Sequence, residues 1–212
     1  MDSAANGLIE ARDGKTQAIF PIRGKIISAR KASPEKVYGN QEVANIVKAL
    51  GLDIDKKTGG LVYDTKKLRY GKIIFAADAD ADGQSIVNLL ITCFWWLCPE
   101  LFTYGHITKA IPPLYRITNK KNEYIYLKDN AALEQYKAEH ENEKYIVSRM
   151  KGLGESSPDE LSEYLLNPAT RNVELLYVSD FENTDAFLEI IMGTDVEPRR
   201  QYLLKYGEGA NI

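Results

Sequence analysis

Hydrophobic residues in the first half of the chain follow two spacings, which predict a helix and a buried strand. In Glu42–Leu50 the apolar residues recur at every third or fourth position and Gly51 follows, so we expect a short helix that stops at the glycine. The run KIIFAA (72–77) is almost continuously apolar, as a strand buried in a parallel sheet would be. Between them, residues 56–71 are polar and rich in turn residues, which predicts a surface excursion.

A second helix and a second strand are predicted after the buried strand. Ser85–Leu97 is an apolar segment of helical length, and HITKAIPPLYRI (106–117) supplies the next strand, ended by its two prolines. A strand, an acidic turn and a helix make the first half of a βαβ unit. We therefore expect an α/β fold with a Rossmann-like parallel sheet and flanking helices. Residues 17–30 predict short extended segments around a basic turn.

The pattern changes from about Asn119 onward. The short extended pieces EYIYL and KYIVSRM alternate with the charged helical segments AALEQYKAEHENEK and SPDELSEYLL. Ser157 before Pro158 is a good helix start, because serine caps helices and proline fits the first turn. We place a domain boundary near residue 150, with one domain over 1–150 and a smaller mixed α+β tail over 151–212.

The composition indicates a globular protein but does not indicate its function. The 212 residues are 44 % hydrophobic, which is enough for a sizeable core, and the net charge of −3 means that any nucleic-acid contact must rest on local basic clusters. Cys93 and Cys98 lie in an apolar run and are expected to be reduced core thiols. That run is too short to span a bilayer and no signal-peptide pattern opens the chain, so we expect a cytoplasmic protein without a membrane partner.

Three carboxylates follow the predicted buried strand at alternate positions, in the sequence DADADG. At about 4 Å each pair would repel by about 1 kcal/mol in water and about 4 kcal/mol at an effective dielectric near 20. Asp78, Asp80 and Asp82 either converge on one face of an extended strand or spread over the strand end and the turn. In both arrangements a divalent cation is the natural counter-charge, and ligands of open α/β sheets bind at this end of the strands.

The donor type indicates which cation. DADADG also matches the start of an EF-hand loop, but the twelfth position is Leu89 and the preceding segment is a strand, so the EF-hand interpretation fails. Oxygen ligands without His or Cys favour Mg²⁺ over zinc. Mg²⁺ in proteins commonly acts on phosphate groups.

These residues belong to a longer pattern that resembles the Toprim and tail region of the B subunit of type IIA DNA topoisomerases, the gyrase and topoisomerase IV family. The matching segments, in the family's order, are QAIFPIRGKI (17–26), YDTKKLRYGKIIFAADADADG (63–83), PELFTYGHITKAIPPLY (99–115), RMKGLGE (149–155), NPATR (167–171) and MGTDVEPRRQYL (192–203). The resemblance implies a Mg²⁺-dependent enzyme part that helps to cleave and rejoin double-stranded DNA and that is inactive alone. Asp78 and Asp80 would hold the metal, with Mn²⁺ or Ca²⁺ as substitutes, and Asp82 would complete this catalytic cluster.

The resemblance also implies partners. In the family the nucleophilic tyrosine belongs to an A subunit and ATP is hydrolysed in an upstream ATPase and transducer region, within an A2B2-type assembly. The chain agrees with this division, since it has no P-loop. The upstream region would lie on the same parent chain or on a separate one.

A family glutamate in an E-G-D-S-A loop acts as metal ligand and general acid/base. Asp2 and Ser3 match the end of that cleavage-site loop, and the glutamate position falls one residue before Met1. Three explanations stay open: a chain cut inside the domain, a split gene whose upstream product donates the glutamate, or a chain that lacks this function.

The resemblance implies DNA contacts for Arg23 and Lys25, which flank a glycine in PIRGKI. For Lys151 in KGLGE it implies a role in DNA contact or core assembly, and a solvated turn stays open beside it. His106 is equally compatible with a structural and a functional role. For Arg199 and Arg200 a solvated helix end and an interface with the A subunit both stay open.

Departures from the family pattern keep other functions open. Ser85 and Val87 stand where the family has a histidine and a basic residue, and Ser28 stands where it has a DNA-contacting asparagine, as in a divergent or viral member. The alternatives are a non-catalytic DNA-binding adaptor and a Toprim primase or nuclease.

Overall fold

The computed structural model describes residues 2–78, 80–150 and 152–207, with side chains described from Ala5 onward. Its helices are α1 (Asp2–Ala11), α2 (Pro34–Gly39), α3 (Gln41–Leu50), α4 (Ala81–Leu97), α5 (Glu100–Thr103), α6 (Asn130–Glu139), α7 (Pro158–Leu161), α8 (Phe181–Met192) and α9 (Glu197–Tyr206). Its strands are β1 (Asp53–Ile54), β2 (Leu61–Val62), β3 (Ile73–Phe75), β4 (Ile107–Ala110), β5 (Tyr115–Thr118), β6 (Tyr124–Leu127), β7 (Ile146–Arg149) and β8 (Val173–Leu175).

The described strands form sheets with the orders β1-β2, β3-β4-β8 and β6-β5-β7. Short 3₁₀ turns cover Ala29–Lys31 and Leu153–Glu155, and α7 continues into a π-helical turn at Ser162–Leu166. The predicted α/β class, with sheets flanked by helices, is confirmed.

The chain divides into two compact units. The first contains the residues up to Arg23, Ile74–Gln84 and Lys109–Glu174, and the second contains Gly24–Ile73, Ser85–Thr108 and the residues from Leu175 onward. The predicted boundary near residue 150 stays a prediction.

One core of the first unit lies between a sheet and α6. The central strand β5 pairs antiparallel with β6 and β7, and Ile117 stands opposite Ile125 on one side and Val147 on the other. Ile117 is fully buried and clusters with Leu133 and Tyr136 of α6. The extended pieces predicted in this half are therefore strands of one sheet, and the charged segment between them is its covering helix.

A second core of the first unit joins α1 to α7. Leu8 of α1 packs against a buried cluster that includes Leu153, Leu161 and Tyr164. A Cβ on Gly7 would lie 2.9 Å from Leu161 Cδ1, so the glycine lets the two helices approach closely.

The second unit is built around the apolar part of α4. Phe94, Trp95 and Leu97 are buried there, and Trp95 Nε1 donates a hydrogen bond to Asp185 Oδ1 at 2.8 Å. Cys93 and Cys98 are free and buried, and burial raises the pKa of each thiol to about 12. They are the reduced core thiols that the sequence predicted.

Three predicted elements have different bounds in the structure. Helix α4 begins at Ala81, four residues before the predicted start at Ser85, because Asp80 caps it. HITKAIPPLYRI contains the whole of β4, which ends before the two prolines as predicted, and also the start of a further strand, β5, after them. The helix predicted at Glu42 begins one residue earlier, and its stop at Gly51 is confirmed by a left-handed φ of 76°.

Arg199 is tied into the fold. Its Nε donates to the carbonyl of Ile191 at 2.9 Å and its Nη2 to that of Gly193 at 2.8 Å, which satisfies carbonyls at the end of α8. The solvated helix end considered for Arg199 is therefore wrong, whereas Arg200 stays exposed.

None of the helices in the described part of the chain is long and apolar enough to cross a membrane.

Candidate metal centre

Asp80 starts helix α4. Its Oδ1 accepts a hydrogen bond from the Gly83 N–H at 2.7 Å, and its carbonyl accepts one from the Gln84 N–H at 3.0 Å. These are the two bonds of an N-cap residue, whose side chain satisfies a donor that the first helical turn leaves open. One carboxylate of the cluster therefore has a structural role in addition to any metal role.

Backbone approaches Asp78 closely at two places, its carbonyl and its carboxylate. A Cβ on Gly83 would lie 2.0 Å from the Asp78 carbonyl oxygen, so the turn closes only with glycine at position 83. The carboxylate meets the loop at 152–153, where the Leu153 N–H donates to Asp78 Oδ1 at 2.7 Å. Gly152 passes so close that its Cβ would lie 3.1 Å from both Asp78 carboxylate oxygens. All of these residues belong to the first unit.

Asp82 lies in the first turn of α4, where a carboxylate interacts favourably with the helix dipole. The three carboxylates are therefore spread over the strand end and the helix start, and the alternative arrangement on one strand face is wrong. Among the residues that the structure describes, no group of three or more His, Cys, Asp or Glu side chains is arranged to hold a metal ion.

The donor set still suits Mg²⁺. Mg²⁺ commonly takes one or two protein carboxylates and fills its remaining positions with water and phosphate oxygens. Asp78 and Asp80 have exposed side chains and each uses one oxygen, Oδ1, for a backbone N–H. A pair of fixed carboxylates at the solvent-facing end of a strand fits an ion that also binds a phosphate.

Two features beside the cluster could not be predicted from the sequence. One is the backbone of Gly152 and Leu153, which lies 75 positions along the chain from Asp78. The other is Lys109 on β4, whose Nζ donates to Gln84 Oε1 at 3.0 Å in the first turn of α4. Neither has a local sequence signal, because both depend on how distant segments meet.

The other expected site residues are placed as follows. Arg23 and Lys25 have exposed side chains on either side of Gly24, whose φ of 76° confirms the glycine turn. Lys151 lies outside the described residues. The backbone of Asp2 and Ser3 forms the start of α1.

His106 has structural partners in the second unit. Its Nδ1 lies 2.8 Å from the Gly71 carbonyl oxygen, and its Nε2 lies 2.8 Å from the Tyr63 hydroxyl. These hydrogen bonds explain the histidine as a connection between the 63–71 segment and the start of β4. They favour a structural role for His106 over a functional one.

Comparison with known proteins gives two family matches. The Toprim domain family matches residues 1–111, and the family described as DNA gyrase B subunit, carboxyl terminus, matches residues 142–204. The first match contains the acidic cluster and the Arg23 turn. The second contains the loop that contacts Asp78.

Similar proteins include several DNA gyrase B subunits. The chain is 38 % identical over 205 residues to the DNA gyrase B subunit of Thermotoga maritima, covering 97 % of this chain and 31 % of that protein. It is 38 % identical over 212 residues to the DNA gyrase B subunit of Thermus thermophilus, covering 100 % of this chain and 33 % of that protein. The chain thus spans about a third of the length of the curated relatives it matches.

Proposed function

Because the chain belongs to the Toprim family and, through its carboxyl-terminal part, to the gyrase B family, we propose that it is the Mg²⁺-binding part of a type IIA DNA topoisomerase cleavage core. It would support cleavage and rejoining of double-stranded DNA and thereby change DNA topology. The observation that carries the proposal is the carboxylate cluster Asp78, Asp80 and Asp82, which joins β3 to α4 inside the segment matched by the Toprim family.

In this proposal each of the three aspartates has its own role. Asp78 and Asp80 hold the ion, each with one oxygen already fixed by a backbone N–H. Asp82 completes the cluster from the first turn of α4. When bound, Mg²⁺ would neutralise charge on the scissile phosphate and stabilise the leaving oxygen. In this proposal Mn²⁺ or Ca²⁺ can replace it at the same oxygen ligands.

The DNA contacts are proposed for the basic residues Arg23, Lys25 and Lys151. Arg23 and Lys25 are exposed on a turn where Gly24 carries no side chain and a Cβ there would meet nothing within 4 Å. A turn without side-chain crowding lets two cations approach phosphate oxygens, which position DNA without reading its sequence.

The partners in this proposal are double-stranded DNA, an A subunit that carries the nucleophilic tyrosine, and an ATPase and transducer region on the same parent chain or on a separate one. The assembly would be of the A2B2 type, with Arg200 as an exposed residue available for the A subunit.

Reconstituted DNA cleavage tests the proposal. The chain is combined with a gyrase-type A subunit, an upstream fragment bearing the glutamate, supercoiled DNA and Mg²⁺, and protein-linked DNA breaks are counted. We expect breaks only when all components are present. Asp80→Asn should lower cleavage by about 100-fold or more, because a charge that holds the metal is lost.

Asp129→Asn is the matched control. Asp129 caps α6 in the same unit by accepting a hydrogen bond from Ala132 N–H at 2.8 Å, so the control makes the same chemical change at the same kind of helix position. Asparagine caps a helix about as well as aspartate, so neither variant should lose its helix. Full cleavage by Asp80→Asn would refute the metal role, and no cleavage by the complete mixture would favour the non-catalytic adaptor.

A further inference from the structure

We propose that the Gly152–Leu153 peptide positions the Asp78 carboxylate, by donating a hydrogen bond to one oxygen and by leaving room for the carboxylate group. The purpose of this arrangement rests on the proposed function, since a fixed Asp78 matters most if it holds a metal ion. The contact itself is independent of that function.

The hydrogen bond comes from an anchored donor. Leu153 N–H lies 2.7 Å from Asp78 Oδ1, while the Leu153 side chain is only 7 % exposed, in the cluster with Leu161 and Tyr164. The donor therefore cannot move without disturbing a core. The Leu153 N–H contacts Oδ1 of the carboxylate, which leaves the second oxygen, Oδ2, outside this hydrogen bond.

Gly152 is required for space and not for its backbone conformation. Its φ of −61° and ψ of 159° are ordinary for any residue. A Cβ at this position would, however, lie 3.1 Å from both Asp78 oxygens and 3.2 Å from Asp78 Cγ, closer than normal van der Waals contact. A side chain at position 152 must therefore shift the Asp78 carboxylate by a few tenths of an ångström, which changes its hydrogen bond with the Leu153 N–H.

Because the Gly152 backbone conformation suits any residue, Gly152→Ala tests only the space beside the Asp78 carboxylate. Replacing glycine by alanine where the backbone is compatible normally stabilises a protein, because the unfolded chain loses freedom. If nothing depended on the space beside Gly152, the substitution would raise the melting temperature. A fall in melting temperature would report the displaced carboxylate.

A double-mutant cycle tests the contact on the whole chain. We expect Gly152→Ala to lower the melting temperature by about 2–4 °C in the wild-type background. In the Asp78→Ala background the same substitution should lower it by nothing or raise it, because the carboxylate is gone. Gly39→Ala, at a position where a Cβ would meet nothing within 4 Å, is the control and should behave alike in both backgrounds. An equal fall for Gly152→Ala in both backgrounds would overturn the inference.

The Leu153 amide resonance supplies a signature that a general loss of stability would not produce. A short hydrogen bond to a carboxylate should place this amide proton downfield, and Asp78→Ala should move it upfield. Gly152→Ala should move it in the same direction and Gly39→Ala should not. Asp78→Asn keeps an acceptor oxygen and should retain part of the shift, which keeps the test informative if another variant folds poorly.

Mn²⁺ binding, followed by electron paramagnetic resonance, connects the contact to the metal. Gly152→Ala should weaken Mn²⁺ binding about 10- to 100-fold, as losing a residue that orients a ligand commonly does. Unchanged Mn²⁺ affinity together with an unchanged Leu153 resonance would overturn the inference. If the wild-type chain bound no Mn²⁺, the metal part of the proposed function would fail, while the melting cycle and the amide resonance would still decide the inference.

Discussion

At the scale of single residues, Asp80 combines a charge with a helix cap, and the two contributions can be separated. Asp80→Ala should lower the free energy of unfolding by about 1 kcal/mol, because the hydrogen bond to Gly83 N–H is lost. Asp80→Asn keeps an acceptor at the cap and should stay within about 0.5 kcal/mol of wild type. Urea denaturation without divalent ions measures both values. Equal losses for the two variants would mean that the charge, and not the cap, stabilises this turn.

The Asp80 cap also shows what the pattern of alternating aspartates could not decide. Alternating aspartates after an apolar run leave two arrangements open, and one of them is an extended strand that continues to Asp82. In the structure the strand has ended by Phe75 and the helix has begun at Ala81. The reason is local: an Asp side chain can close a helix start by accepting from a backbone N–H three positions later, and Gly83 permits the tight approach that follows.

At the scale of elements, the start of α7 should give the fold a defined acid sensitivity. Ser157 and Glu160 form a capping box there, and Glu160 also pairs with Arg116 of β5. Burial raises the pKa of Glu160, but the hydrogen bond from the Ser157 N–H and the pair with Arg116 outweigh this, so the pKa lies below its usual value. A lowered folded pKa contributes stability that is present above the unfolded pKa, about 4.3, and is lost as the pH falls through the folded value.

Glu160→Gln tests this directly. Glutamine preserves the capping box but not the charge, so we expect a loss of about 2 kcal/mol at pH 7 and a flatter decline in stability below pH 5 than in wild type. Urea denaturation over a pH series measures both. Glu163→Gln, on the exposed side of the same segment, is the control and should follow the wild-type curve. Parallel acid curves for Glu160→Gln and wild type would show that other carboxylates cause the decline.

Elements with a strong local signal could be predicted from sequence, and contacts between distant segments could not. The α3 helix with its Gly51 stop, the strands β6 and β7 and the Ser157 cap follow from spacing and capping residues. The position of the acidic cluster at a strand end was also predictable. Its attachment to Leu153 was not, because that hydrogen bond joins residues 75 positions apart. Helix α1 was not predicted from the sequence either, and its close contact between Gly7 and Leu161 again joins distant segments.

At the scale of the whole molecule, the proposed metal site should couple ion binding to folding. An ion that binds only the folded chain stabilises it by about 2.7 kcal/mol when present at about 100 times its dissociation constant. The carboxylate cluster is the place where this coupling would act, because the charges that repel one another without an ion become its ligands when one is bound. We therefore expect the melting temperature to rise by several degrees with increasing Mg²⁺, and similarly with Mn²⁺ or Ca²⁺, and chelation to reverse the rise.

The origin of that rise is decided by the same pair of variants that tests cleavage. Asp80→Asn should abolish most of it, whereas Asp129→Asn should retain it, and sodium chloride at matched ionic strength should not reproduce it. The comparison needs no DNA, no A subunit and no upstream region, so it examines the contribution of this chain alone. An equal rise in wild type and Asp80→Asn would mean that divalent ions merely screen an acidic chain of net charge −3, and the assignment of Asp80 as a ligand would have to be withdrawn.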